Sequence, residues 1–144
     1  MNCTFRRMTT NDLASVLEMN YTFRPNFITQ EGASAFLADH RNWLWAGIAE
    51  ARIIAFAYGY ALDRLDGRRM LYLHEVGVAE EHQRQGTGTA MLQALKDECR
   101  EQGFHRIFLI THQCNTAANG LYRKCGGEVS SDSGGNDTTY MFFL

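Results

Sequence analysis

The sequence predicts a mixed α/β fold, with the elements in the order β-α-α-β-β-β-α-β-α-β-β. Three observations carry this. Residues 53–62 alternate, with Phe56, Tyr58 and Tyr60 on one face and small residues on the other, the period of a half-buried strand. Glycine-rich Gln85-Gly86-Thr87-Gly88 opens a stretch that sets Met91, Leu92, Leu95 and Cys99 on one helical face. Turn signals at Asp66-Gly67, Gly103 and Gly126 cut the chain into strand- and helix-sized pieces.

Taken in order, Phe5 sits in a short first strand. Thr10 is placed to cap a helix that turns Leu13, Val16 and Leu17 to one side. Pro25 lies in a loop, residues 21–27. Thr29 then caps a second helix with Ala33, Phe36 and Leu37 on its inner face. Residues 43–49 form an apolar strand ending at the turn Glu50-Ala51-Arg52. Residues 53–62 and 70–78 pair across Asp66-Gly67, a hairpin signal. The long helix ends at Gly103. Residues 104–111 make a buried strand, and residues 115–124 a short helix stopped by Gly126. Two last strands, near Glu128-Val129 and at 138–143, flank Ser133-Gly134-Gly135-Asn136.

Composition narrows the function. The 144 residues read as one domain, 1–144, with 45% hydrophobic and 21% charged residues. A net charge of −2 argues against nucleic acid, which selects basic surfaces. No apolar run approaches the roughly 20 residues a bilayer demands, and the N-terminus lacks a signal peptide's apolar core. Cys3, Cys99, Cys114 and Cys125 are too scattered for a metal pair and read as reduced thiols of a cytoplasmic protein. His112 and Cys114 lack further ligands nearby, so no metal is expected.

Gln83-Arg84-Gln85-Gly86-Thr87-Gly88 lies between a strand and a helix. Glycines there let backbone N–H groups approach a ligand, and the helix N-terminus adds positive potential, as a phosphate cradle needs. No lysine follows Gly88, so this is not the nucleotide P-loop. Met91 stands where the dinucleotide fingerprint has its third glycine. A plain helix-start turn is the other reading of the loop.

Val78, four residues, then Gln83-x-x-Gly86-x-Gly88 resembles the coenzyme A motif of the GCN5-related N-acetyltransferases (GNAT). Downstream, Asn115-x-x-Ala118-x-x-x-Tyr122-x-Lys124-x-Gly126 resembles that family's second motif. The chain departs at Gly127, where an aromatic is usual, and looser local packing is expected there. The resemblance implies the GNAT fold of acyl-CoA N-acyltransferases and acetyl-coenzyme A as cosubstrate. Tyr72-x-x-Glu75-x-x-Val78-x-x-Glu81-His82-x-Arg84-Gln85-Gly86 is similar to type I aminoglycoside 3-N-acetyltransferases, which implies a small cationic amine as substrate and a link to antibiotic resistance. Oligomeric state stays open, with a homodimer among the outcomes.

The resemblance assigns roles. Gln83, Arg84, Gln85, Gly86, Thr87, Gly88 and Thr89 form the pyrophosphate loop, with Arg84 as local counter-charge or, alternatively, a solvated surface arginine. Backbone groups of Val76 and Val78 bind the pantetheine chain, and Gly77 between them suits a bulge. Asn115 binds pantetheine or caps its helix. Tyr122 donates a proton to the leaving thiolate or packs in the core.

A lysine-like amine with a pKa of about 10.4 costs roughly 4–5 kcal/mol to deprotonate at pH 7. Glu75 is the candidate base. Strand alternation sets it on one face with Leu71, Leu73 and Gly77 and turns His74 into the core. Glu75 otherwise attracts the substrate's charge or pairs with an internal arginine. Glu18, Glu31, Asp63, Asp66, Asp132 and Asp137 are further acidic candidates for the substrate site, Asp137 foremost. Protein N-terminal, lysine or polyamine acetylation is the alternative activity. A non-catalytic acetyl-coenzyme A sensor is the alternative class.

Overall fold

In the computed structural model, which describes residues 2–131 and 133–144, seven strands form one sheet in the order β1-β2-β3-β4-β5-β7-β6. They are β1 Thr4–Arg7, β2 Asn42–Ala49, β3 Arg52–Asp63, β4 Arg69–Val78, β5 Arg106–His112, β6 Glu128–Val129 and β7 Asp137–Phe143. Among the described residues, only β4 and β5 pair in parallel.

Helices α1 Leu13–Leu17, α2 Met19–Thr22 and α3 Gln30–Ala38 cover one face; α4 Thr87–Glu101 and α5 Thr116–Lys124 cover the other. The alternation in β3 sorts the two cores. Ala55, Ala57 and Ala61 leave room for α4, whose Met91, Leu92, Leu95 and Cys99 are fully buried with Leu71, Leu73, Ile107 and Leu109. Phe56 and Tyr58 on the opposite face meet Val16, Met19, Ala33 and Phe36.

The helix ends are written in local chemistry. Gly103 (φ 82°) closes α4, with Phe104 N–H bonded to Cys99 O and Gly103 N–H to Arg100 O. Gly126 (φ 88°) closes α5 in the same way, through Gly127 N–H to Tyr122 O. A Cβ on Gly127 would lie 2.9 Å from the Phe142 ring. That buried ring fills the place where looser packing was expected.

Two expectations near the N-terminus shift. The cap is Thr9, not Thr10: its hydroxyl accepts from Asn11 N–H at 3.2 Å, and Asp12 returns a bond to Thr9 N–H at 2.7 Å. The chain also stays helical through Thr22, so the Pro25 loop begins later than the sequence suggested.

The largest departure lies in β4. Tyr58 faces Glu75, but the next residue, Gly59, faces Leu73, so His74 is an extra residue bulged out of the ladder. Gly59 makes this possible, because a Cβ there would overlap Tyr72 O at 1.7 Å. The bulge is therefore at His74 and not at Gly77. It reverses the alternation: Leu71 and Leu73 face α4, whereas Glu75 and Gly77 join Tyr58 and Phe56 on the α1–α3 face. His74 is exposed rather than packed in the core.

Candidate active site

The bulge falls where the sheet opens. The β4–β5 ladder runs from Met70↔Arg106 to Leu73↔Leu109 and stops, although β4 continues to Val78 and β5 to His112. Backbone groups beyond Leu73 on these two edges thus face a gap. A cleft of about 620 Å³ occupies it, walled by Val76, Gly77 and Val78, by the turn before α4, and by Asn115, Leu121 and Tyr122.

The turn is shaped by two left-handed residues, Arg84 (φ 62°) and Gly86 (φ 82°). Gln83 ties it back to the strand through Nε2 to Val78 O at 3.0 Å. Gln85 bonds Glu81 O at 3.0 Å and does not line the cleft. The bond from Ala90 N–H to Gly86 O begins the helix, which leaves the amides of Thr87, Gly88 and Thr89 without intrahelical acceptors. Arg84, Thr87, Gly88 and Thr89 all line the cleft, and their N–H groups with the helix dipole make a site suited to a polyphosphate. Thr87 Oγ1 is buried in its wall without a hydrogen-bond partner. Gly88 serves close packing, since a Cβ there would sit 3.2 Å from Leu121.

On the α5 side, Asn115 caps the helix by accepting from Ala118 N–H at 3.2 Å while lining the cleft. Tyr122 also lines the cleft and is only 6% exposed, its ring 5.5 Å from that of Tyr140. Burial pushes its hydroxyl up to about 12, so it stays a neutral donor at physiological pH. Asn119 carries no obvious signal in the sequence. It is buried, donates to His112 O (3.1 Å) and Asn115 O (2.7 Å), and accepts from Tyr140 O–H at 2.6 Å. These bonds brace the β5–α5 connection against β7.

Glu75 precedes Val76 on the opposite face of β4 and lines neither cavity. Arg24, on the loop after α2, grips it in a bidentate pair: Nη1 donates to Oε2 at 2.7 Å and Nη2 to Oε1 at 3.2 Å. The Arg24 guanidinium lies 3.9 Å over the Phe27 ring. The pair raises the Arg24 pKa, and burial followed by the Glu75 charge raises that of Tyr58. His74 lies alongside, its Nδ1 3.3 Å from Tyr72 Oη. Below the pair, Phe27, Ile28, Phe36, Leu37, Leu44, Tyr58 and Tyr60 line a second cavity of about 290 Å³.

Asp137 lies at the start of β7 opposite His112 and lines neither cavity. Asp63 and Asp66 pair with arginines at the β3–β4 hairpin, Glu18 and Glu31 are exposed, and Asp132 lies outside the described residues. Among the described residues, no helix is long and apolar enough to cross a membrane, and no three His, Cys, Asp or Glu side chains group to hold a metal.

The model of the acetyltransferase (GNAT) family matches residues 11–127. N-acetyltransferase family 8 member 3 of Rattus norvegicus is 29% identical over 98 residues, covering 67% of this chain and 43% of the rat protein. The L-methionine sulfoximine/L-methionine sulfone acetyltransferase of Pseudomonas aeruginosa is 31% identical over 87 residues, covering 60% of this chain and 51% of that protein. The chain spans about half the length of these curated relatives. An aminoglycoside acetyltransferase from an uncultured soil metagenomic sample, in complex with sisomicin, superposes with a TM-score of 0.82 at 19% identity, covering 92% of this chain and 93% of the other. NAA60 of Arabidopsis thaliana in complex with acetyl-CoA superposes at 0.79 and 14% identity, covering 99% of each chain. At such identities the shared property is the fold.

Proposed function

Because the chain belongs to the acetyltransferase (GNAT) family, we propose that it is an acetyl-coenzyme A-dependent N-acetyltransferase acting on a small primary amine. The observation that carries this is the gap between β4 and β5, floored by the free amides of α4 and walled by Tyr122, with Glu75 next to Val76 on the opposite face of β4. Acetyl-coenzyme A supplies the acetyl group as a thioester. The amides of Thr87, Gly88 and Thr89 hold its pyrophosphate beside Arg84, and the edges at Val76 and Val78 align its pantetheine arm.

Glu75 takes a proton from the substrate ammonium, directly or through one water. The neutral nitrogen attacks the thioester carbonyl; the C–N bond forms, the nitrogen gives up its second proton to water, which restores the one Tyr122 donates, the C–S bond breaks, and the electron pair leaves with sulfur. Tyr122 O–H protonates that sulfur, giving free coenzyme A thiol. Base and acid each contribute on the order of 10²–10⁴-fold. The four unpaired cysteines suit a reducing, cytoplasmic setting.

The finer reading is an aminoglycoside acetylated at the 3-N position. The run from Tyr72 to Gly86 supports it. Against it, no Asp or Glu lines either cavity among the described residues, and Glu75 is already paired. Thiol release from acetyl-coenzyme A, assayed against aminoglycosides, polyamines, peptides and small amines, tests both levels. Turnover of at least one amine is expected, with kcat/KM about 10²-fold lower in Glu75→Gln. Coenzyme binding with no turnover of any amine contradicts the enzyme reading and favours a sensor. Turnover of other amines but no aminoglycoside rejects only the finer reading.

A further inference from the structure

We infer that the acceptor is an α-amino acid, or a close zwitterionic relative, with an apolar side chain. Its carboxylate binds Arg24, its ammonium binds Glu75, and its side chain enters the cavity beneath them. The inference rests on the acetyl-transfer reading and names the substrate class of that same site.

The Arg24–Glu75 pair is the starting point. A lone carboxylate beside the gap would attract any cation. Here both Glu75 oxygens are held by one planar guanidinium, at 2.7 and 3.2 Å. A simple cation shares the carboxylate with Arg24 or displaces it to water, and gives Arg24 nothing in return. A zwitterion offers both halves of the exchange. Its carboxylate presents the same two-oxygen fork to Arg24 that Glu75 presents now, and its ammonium replaces Arg24 on Glu75. Each charge keeps a partner after the exchange: Glu75, 29% exposed, gains the ammonium, and Arg24, 53% exposed, trades one carboxylate for another.

The surroundings set the rest of the molecule. Phe27 carries the Arg24 guanidinium at 3.9 Å, and Tyr58 stands opposite Glu75 in the sheet. Both also line the cavity of about 290 Å³ with Ile28, Phe36 and Leu37. The charged pair therefore sits against two wall residues of an apolar pocket. That volume lies at the lower end of ligand sites, enough for one amino-acid side chain and short of linked sugar rings. On its other side, Glu75 adjoins Val76 and Gly77, which wall the coenzyme cleft. An ammonium on Glu75 is thus the end of the substrate turned toward the thioester.

The test measures thiol release with L-methionine, L-leucine and L-phenylalanine, each against its decarboxylated amine, and with kanamycin. The wild-type chain is expected to favour each amino acid over its amine by about 10-fold or more in kcat/KM. Arg24→Met should lower the amino-acid values about 10- to 100-fold, chiefly through KM, and raise those of the amines by freeing Glu75. Arg24→Lys should recover part of the loss. The wild-type comparison alone decides the matter if Arg24→Met fails to fold. Preference for amines or kanamycin, or an equal loss on both classes in Arg24→Met, overturns the inference and leaves acetyl transfer standing. No turnover of any amine overturns both.

Discussion

Tyr122 and Glu75 lie on opposite faces of the sheet and are held by different physics. Tyr122 is fixed by packing, its ring tilted against Tyr140 and edge-on to Phe142. Its burial fits both readings that the sequence left open, core aromatic and proton donor, because the ring is interior while the residue still borders the cleft. Removing the hydroxyl separates them. Tyr122→Phe should keep the packing and the coenzyme affinity but lower kcat by about 10²-fold. Wild-type turnover in steady-state kinetics would make Tyr122 a core residue only. Glu75 is fixed by charge, and its partner was not legible. Arg24 lies 51 positions away in a loop whose composition marks only a turn. An arginine beside Pro25 reads as solvated surface until the fold brings it to β4.

At the scale of elements, the bulge at His74 organises the site. It turns Glu75 to the α1–α3 face and coincides with the end of the β4–β5 ladder. Gly59→Ala should therefore do more than a surface substitution. Its Cβ would overlap the backbone at Tyr72 O, so the bulge must shift or the strands part. A loss of several °C in Tm is expected together with loss of acetyl transfer, by thermal unfolding and thiol release. Full activity at unchanged Tm would show that the bulge is dispensable.

The elements carrying local signals were legible in the sequence. Gly103 and Gly126 mark their helix ends, Thr29 caps α3, and the face of Met91, Leu92, Leu95 and Cys99 is the buried one. The glycine turn and α5 were legible in the same way, through residues close together in the chain. The bulge was not, because its extra residue carries no compositional mark on its own strand. Its signal, Gly59, sits on the partner strand and acquires meaning only once the register is known. The Asn119 braces escaped notice for a related reason, since a mid-helix asparagine is ordinarily a solvated one.

For the whole molecule, one sheet separates two cores and opens at a single parallel junction, so stability and the site share the same strands. Buried titrating groups give this a pH signature. Burial pushes both the Cys99 thiol and the Tyr122 hydroxyl up to about 12. Both are raised above their ordinary values of 9.0 and 10.0. Their contribution is therefore fully present below about pH 9, shrinks as each ionises first in the unfolded chain, and is lost as pH rises through about 12. Asp12, held down to about 2 chiefly by Arg6, behaves oppositely. Its contribution is present above its ordinary 3.8 and is lost as pH falls through about 2. Urea midpoints should decline on the alkaline side above about pH 9, less steeply in Cys99→Ala. An equal alkaline slope in that variant would remove Cys99 from the account.

The central claim is that the β4–β5 gap and the start of α4 together bind acetyl-coenzyme A. Amide hydrogen exchange with and without acetyl-coenzyme A tests it most directly. The account predicts protection concentrated at Val76, Val78, Thr87, Gly88 and Thr89, weaker protection near Asn115, and none at β1 or β6. Unchanged exchange at those amides under saturating ligand, or protection centred elsewhere, would contradict it.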